Sequence, residues 1–196
     1  MKIAISGCAG IGKTTLANRL AAELRVPLID ENYEPIFQSP EIFSGPVRDL
    51  AAALLAVHEK KRALESQHGS FVTDRCPVDI FNIWLNRGLG ECQQETADLF
   101  EQCLAQVRQY DLLIFPPFGV LEMQQTCNAN DGRKRNLNPW GQYHSYRSMV
   151  GLATLWMEPG RLLYLPASLL TIAARVEYVL EVGKTGKRIS DHPRPA

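Results

Sequence analysis

Lys2-Ile3-Ala4-Ile5-Ser6-Gly7-Cys8-Ala9-Gly10-Ile11-Gly12-Lys13-Thr14-Thr15 is the stretch on which the fold turns. Residues 7–14 satisfy G-x-x-x-x-G-K-[ST], the Walker A pattern. The pattern stands where the physics needs it, after a short apolar run and before the helical spacing of Leu16, Leu20 and Leu24. Glycines at 7, 10 and 12 let successive backbone N–H groups turn inward on phosphate oxygens. A helix beginning at Lys13 adds its positive dipole end to the same spot. Lys13 supplies a cation for β- and γ-phosphates, Thr14 a hydroxyl for Mg²⁺, and Thr15 a group on the α-phosphate side, with Gly7, Gly10, Ile11 and Gly12 forming the loop around them. ATP and Mg²⁺ are therefore the expected cofactors.

Outward from this loop the chain alternates strand and helix. Residues 26–29 read as a second strand, followed by a polar, proline-punctuated loop over 30–46. A helix is predicted over 47–68, with Pro46 at its start and Gly69 as its stop. Phe71-Val72-Thr73 is a buried strand ending at Asp74. Helices follow over 79–87 and 96–109, then a strand over 112–115 closed by Pro116-Pro117, a helix over 142–157, a strand over 161–165 and a last helix over 167–180. Parallel neighbours need crossover helices, so this alternation predicts an α/β fold of the P-loop NTPase type, with about five parallel strands and helices on both faces. One domain over 1–182 is expected, with a small basic lid near 128–147 and a loose tail from 183 to 196. In such a sheet the ligand crevice lies beyond the carboxyl ends of the strands, which places Gly7, Asp30, Asp74, Pro116 and Pro166 around it.

Composition narrows the function classes. The 196 residues are 45% hydrophobic, enough to close one sizeable core, and 21 basic residues balance 21 acidic ones. A neutral chain has no global field to hold nucleic acid or an anionic membrane, so neither is an expected partner. There is no signal-like start and no apolar run near the length of a membrane span, and the five cysteines form no CxxC pair, a usage that suits reduced thiols. The chain reads as soluble and cytoplasmic. Its four histidines lack ligand spacing. The apolar stripe of 47–68 offers a surface on which a homodimer could form.

Phosphoryl transfer to an alcohol also needs a carboxylate near the γ-phosphorus to orient or deprotonate the acceptor. Asp30, Glu31 and Glu34 follow the second strand on the crevice side; Asp30 and Glu31 are candidate bases and Glu34 a candidate substrate contact. Asp74, at the end of a buried strand, is the candidate metal holder with Thr14. Arg75 beside it can reach phosphate or substrate, or form an ion pair with an aspartate. Asp79 is a candidate substrate contact or the cap of the following helix. Arg133, Lys134, Arg135 and Arg147 against Asp131 make 128–147 locally basic. Arg133 and Arg135 are candidate ATP contacts, and Arg133 a candidate catalytic arginine, although Arg147 could equally lie on a helix face. Pro139-Trp140 and Tyr143-His144 read as hinge, stacking or core residues.

With these pieces on one chain, the sequence resembles the P-loop nucleoside and nucleotide kinase-like group, most closely the small AAA-type ATPase/kinase family that includes the nicotinamide riboside kinase domain. Residues 7–15, the acidic loop 30–35, Thr73-Asp74-Arg75-Cys76-Pro77-Val78-Asp79 and Asp131-Gly132-Arg133 carry the resemblance. It implies an aspartate-arginine pair beside metal and substrate (Asp74, Arg75), an acidic base after the second strand (Asp30 or Glu31) and a lid arginine on ATP (Arg133). Glu34-Pro35 and Cys76 depart from that pattern, which leaves the acceptor open. The expected activity is transfer of the ATP γ-phosphoryl group to a hydroxyl of a small nucleoside- or nucleotide-like molecule. The alternatives are an ATPase that couples hydrolysis to conformational change or partner binding, and a nucleotide-binding regulator.

Overall fold

The computed structural model describes residues 1–30, 47–120 and 138–185. Five strands, β1 (Lys2–Ile5), β2 (Leu28–Ile29), β3 (Phe71–Asp74), β4 (Leu112–Phe115) and β5 (Leu162–Tyr164), form one sheet in the order β2-β3-β1-β4-β5, and every pairing is parallel. In register, Ile5 lies beside Asp74 on one side and Ile114 on the other. The chain leaves β1 for the sheet's edge and returns as β3, then crosses to β4 on the far side. The strand order thus switches direction around β1, which puts the loop after β1 at the ligand crevice of such a sheet.

Side chains alternate across each strand and so sort into two apolar layers. Ile3, Ile5, Val72, Leu112, Ile114 and Leu163 face α1 (Lys13–Leu24) and the last helix, which together make one layer. Ala4, Phe71, Leu113, Phe115 and Leu162 face the other, which is covered by α2 (Val47–Ser66), α3 (Pro77–Asn86), α4 (Gln93–Val107) and α5 (Pro139–Trp156). The last helix, α6, spans Ile172–Thr185. Among the described residues no helix is long and apolar enough to cross a membrane.

Several predicted boundaries move for local reasons. β2 starts at Leu28 rather than residue 26 because Arg25 takes a left-handed turn at φ 55° and Val26 N–H donates to the Ala21 carbonyl, so both residues end α1. α3 begins at Pro77, with Cys76 as its cap, and not at Asp79. α5 begins at Pro139, because the Asn138 side chain accepts from the N–H groups of Trp140 (3.2 Å) and Gly141 (3.3 Å). Residues 139–147 of the expected lid are consequently helix, and Arg147 lies on that helix, exposed. The last helix starts at 172 instead of 167, where Thr171 Oγ accepts from Ala174 N–H, and it runs through residue 185 into the segment expected to be a loose tail. The apolar stripe of α2, read as a dimer surface, is spent within the chain, with Leu50, Leu54 and Val57 buried in its own core. The acidic loop from Glu31 onward, the basic stretch with Arg133 and Arg135, and residues 186–196 lie outside the described residues.

Candidate active site

The loop after β1 is forced into its shape by its glycines. Gly7, Gly10 and Gly12 all have positive φ, at 131°, 83° and 86°. At Gly7 a Cβ would stand 2.5 Å from the Ile11 side chain and 3.6 Å from the Tyr146 ring, so two neighbours close over bare backbone. Tyr146 belongs to α5, and its hydroxyl donates to the Pro116 carbonyl at 3.1 Å, tying that helix to the end of β4 beside the loop. Gly12 is the N-cap of α1. It brings no capping side chain, and the first turn of α1 holds no acid, so the dipole end of this helix is left for an anion. Lys13 is buried, with Nζ donating to the Cys8 carbonyl at 2.8 Å, and its side chain therefore folds back along the loop it follows.

Arg175 braces this loop from α6. It is wholly buried; Nε donates to the Leu169 carbonyl (2.9 Å) and Nη1 to the Ile11 carbonyl (3.1 Å). One planar guanidinium thus joins the β5–α6 connection to the heart of the loop after β1.

Thr14 and Asp74 meet at the mouth. Thr14 Oγ1 donates to Asp74 Oδ2 at 2.5 Å, while Asp74 Oδ1 is buried and has no hydrogen-bond partner among the described residues. A hydroxyl and a carboxylate with an unshared oxygen, next to an uncapped helix N-terminus, are the hard donors that Mg²⁺ takes when it keeps most of its waters and completes its shell with phosphate oxygens. Among the described residues no group of three or more His, Cys, Asp or Glu side chains could cage a metal, and a cation of this kind does not need one.

The residue after Asp74 is strained. Arg75 has φ 66°, a left-handed conformation that costs a non-glycine residue about 1–2 kcal/mol. It is held there by its N–H on the Ile5 carbonyl (2.9 Å) and by an ion pair of Nη1 with Asp79 Oδ1 at 3.3 Å. Asp79 is fully buried; its other oxygen accepts from Cys76 N–H at 3.0 Å in a capping box. Both Asp79 oxygens are engaged inside the fold, so of its two sequence readings the structure carries the helix cap and not the substrate contact. Asp30 is exposed at the end of β2.

Lys61, which sequence reasoning passed over, lies under these elements. It is 1% exposed on α2, and Nζ donates to the backbone carbonyls of both Asp30 (3.2 Å) and Asp74. One turn on, Glu65 accepts from Gln106 Nε2 (2.7 Å) and the Tyr110 hydroxyl (2.9 Å). Burial pushes the Lys61 ammonium below its ordinary value, opposed by Glu65, Asp74 and Asp79, and it pushes the Glu65 carboxyl up, opposed first by the Gln106 bond. A signal was available: Leu50, Leu54, Val57, Lys61 and Glu65 recur at steps of four and three, which sets both charges on the apolar stripe of α2.

In fold the chain is similar to several kinases of solved structure. Deoxyadenosine kinase from M. mycoides, with products dCMP and dCDP, superposes with a TM-score of 0.68 at 14% identity, covering 94% of this chain and 100% of that one. The NadR protein in complex with NR gives 0.60 at 17% identity, over 98% of this chain and 54% of that one. Shikimate kinase from Acinetobacter baumannii in complex with shikimate gives 0.55 at 16%, over 95% and 94%. At these identities the likeness is one of fold. No curated protein sequence matches the chain. A family model described as an AAA domain matches residues 2–146, from β1 through the ring of Tyr146, and the chain belongs to that family.

Proposed function

We propose that this protein is an ATP-dependent phosphotransferase that moves the γ-phosphoryl group of Mg·ATP to a hydroxyl of a small nucleoside- or nucleotide-like acceptor. The observation that carries the reading is the Thr14–Asp74 pair, 2.5 Å apart, with one buried Asp74 oxygen unshared, beside a glycine loop and the open end of α1.

In this reading the N–H groups of residues 7–15 cradle the phosphates, Lys13 turns from the Cys8 carbonyl to the β- and γ-oxygens, and Thr15 supports the α-phosphate side. Thr14 and Asp74 would hold Mg²⁺, which when bound would offset phosphate charge during transfer. Asp30 or Glu31 takes the proton of the acceptor hydroxyl. The acceptor oxygen bonds to the γ-phosphorus as the bond to the β–γ bridging oxygen breaks, and ADP leaves. Glu34 and Arg75 contact the acceptor. Arg133 and Arg135 close on the γ-phosphate, where a single arginine contact is worth about 10³–10⁵ in rate. Positioning and charge neutralisation do the work, with no covalent enzyme intermediate. The kinases of similar fold act on nucleosides, nucleotides and shikimate, which supports a hydroxyl acceptor and keeps other small alcohols in the test.

The test is mass spectrometry of Mg·ATP incubated with nucleosides, nicotinamide riboside, nucleotides and small alcohols, with Lys13→Ala as control. A product heavier by one phosphoryl group, present with wild type and lost in the control, is the expected result and names the acceptor. ATP hydrolysed to ADP and phosphate with no such product would replace the proposal with a coupled ATPase, and ATP bound without turnover would replace it with a regulator.

A further inference from the structure

The mouth of the crevice carries two carboxylates on two different strands, Asp30 after β2 and Asp74 at the end of β3. The β2–β3 ladder ends one residue short of them: Leu28 pairs with Val72 and Ile29 with Thr73, and the pairing stops before the two aspartates. One buried cation does connect them. Lys61 Nζ donates to the carbonyl of Asp30 and to the carbonyl of Asp74, and α2 delivers it from beneath the sheet's crevice end.

The lysine is itself held. A charged side chain that is almost wholly buried needs compensation, and here the two carbonyls provide it together with the nearby carboxylates of Glu65, Asp74 and Asp79. Glu65 is in turn fixed by Gln106 of α4 and by Tyr110, whose ring meets Phe71 of β3 edge-on at 6.3 Å between centroids. The chain of contacts therefore runs from α4 through α2 to the two strand ends. A salt bridge serving stability alone would not need both acceptors to be the main-chain oxygens of the two site aspartates.

We propose that Lys61 is a positioning residue: its ammonium clamps the backbone of Asp30 to that of Asp74 and so sets the geometry of the metal-side carboxylate against the acceptor-side one, without touching ATP. The inference rests on the functional reading above for the roles of the two aspartates. Groups that hold a metal-binding residue in place typically change metal affinity or activity by about 10–100-fold when removed.

The experiment titrates Mn²⁺, followed by its electron paramagnetic resonance, against wild type, K61M and K61Q saturated with ATP, alongside ATP binding in EDTA. K61M keeps the length of the side chain and loses the donors; K61Q is smaller than lysine and cannot span both carbonyls, and it serves if K61M does not fold. The expected result is a loss of at least about tenfold in Mn²⁺ affinity, with metal-free ATP binding within about threefold of wild type. Where wild type transfers phosphoryl, kcat falls about 100-fold while the KM for ATP holds. A folded variant with wild-type Mn²⁺ affinity overturns the clamp, as does a parallel loss of metal-free ATP binding. The two proposals fail separately: a wild type that transfers no phosphoryl group removes the kinase reading, while the Mn²⁺ titration still decides Lys61.

Discussion

His58 shows how much one misplaced ionisable group can cost. It is wholly buried on α2, neither ring nitrogen has a hydrogen-bond partner among the described residues, and burial, aided by Arg62, pushes its pKa down from 6.5 to about 4. The folded protein keeps the ring neutral where the unfolded chain would protonate it, so unfolding takes up a proton between those two values. Stability from this group is complete above pH 6.5 and falls as the pH drops toward 4, by about 3 kcal/mol in all and about 2 kcal/mol by pH 5. Urea denaturation at pH 7 and pH 5 should show that slope in wild type and a shallower one in His58→Leu. The leucine variant should also be more stable at pH 7 by about 1–3 kcal/mol, the cost of leaving a buried polar group unpaired. Equal slopes in the two proteins would place the acid sensitivity elsewhere. Lys61 and Glu65 lie on the same helix face, and their spacing along its apolar stripe was the one local signal of burial. A charge in a helix reads as solvent-facing, and only its partners, 13 to 45 residues away in the chain, make burial tolerable.

At the scale of the element, what the sequence revealed was local and what it hid was contextual. The loop after β1 was legible because glycine, lysine and threonine at fixed spacing are themselves the structure. The strands were legible as short apolar runs, which is how strands buried on both faces read. Helix starts were not, because a cap is a hydrogen bond: Asn138 and Thr171 look like ordinary polar residues until their side chains are seen on the first-turn N–H groups. The helix expected from residue 142 starts three residues earlier, at Pro139 with Asn138 as its cap. Asn138→Ala should accordingly lower stability by about 1 kcal/mol. Chemical denaturation gives the loss, and hydrogen exchange at residues 140–142 should rise before exchange elsewhere in α5. A stability unchanged within error would mean that packing, and not the cap, fixes where this helix begins.

At the scale of the whole molecule, Arg175 makes a long tie, joining α6 to a residue 164 positions earlier. Arg175→Met would leave the buried Ile11 carbonyl and the part-buried Leu169 carbonyl without this donor, and would also remove an Nη2 that is buried with no partner among the described residues. At about 1–3 kcal/mol for one buried group left unsatisfied, the variant should lose on the order of 1–2 kcal/mol in urea denaturation. Because Ile11 lies within the phosphate loop, ATP affinity should fall in the same variant. Arg175→Lys, with one donor group in place of a fork, should retain part of both. Full stability with wild-type ATP binding in Arg175→Met would show that the guanidinium is only filling space. The overall architecture asked least of such contacts: five strands, their parallel order and two layers of helices follow from alternation and crossover length, whereas the tie that holds the last helix to the first loop has no signature in either segment alone.

The three tryptophans differ sharply in their surroundings. Trp84 is sealed in the core with its indole N–H on Thr96 Oγ1 at 2.8 Å, Trp156 packs between Phe81 and Phe100, and Trp140, in the first turn of α5, is 78% exposed. The protein thus has a built-in optical probe. Iodide in the solvent can quench only Trp140, and that indole stands a few residues beyond the basic stretch and two turns before the tyrosine that covers Gly7. Any closure that shields it on nucleotide binding would be visible as lost quenching, in unlabelled protein and in real time.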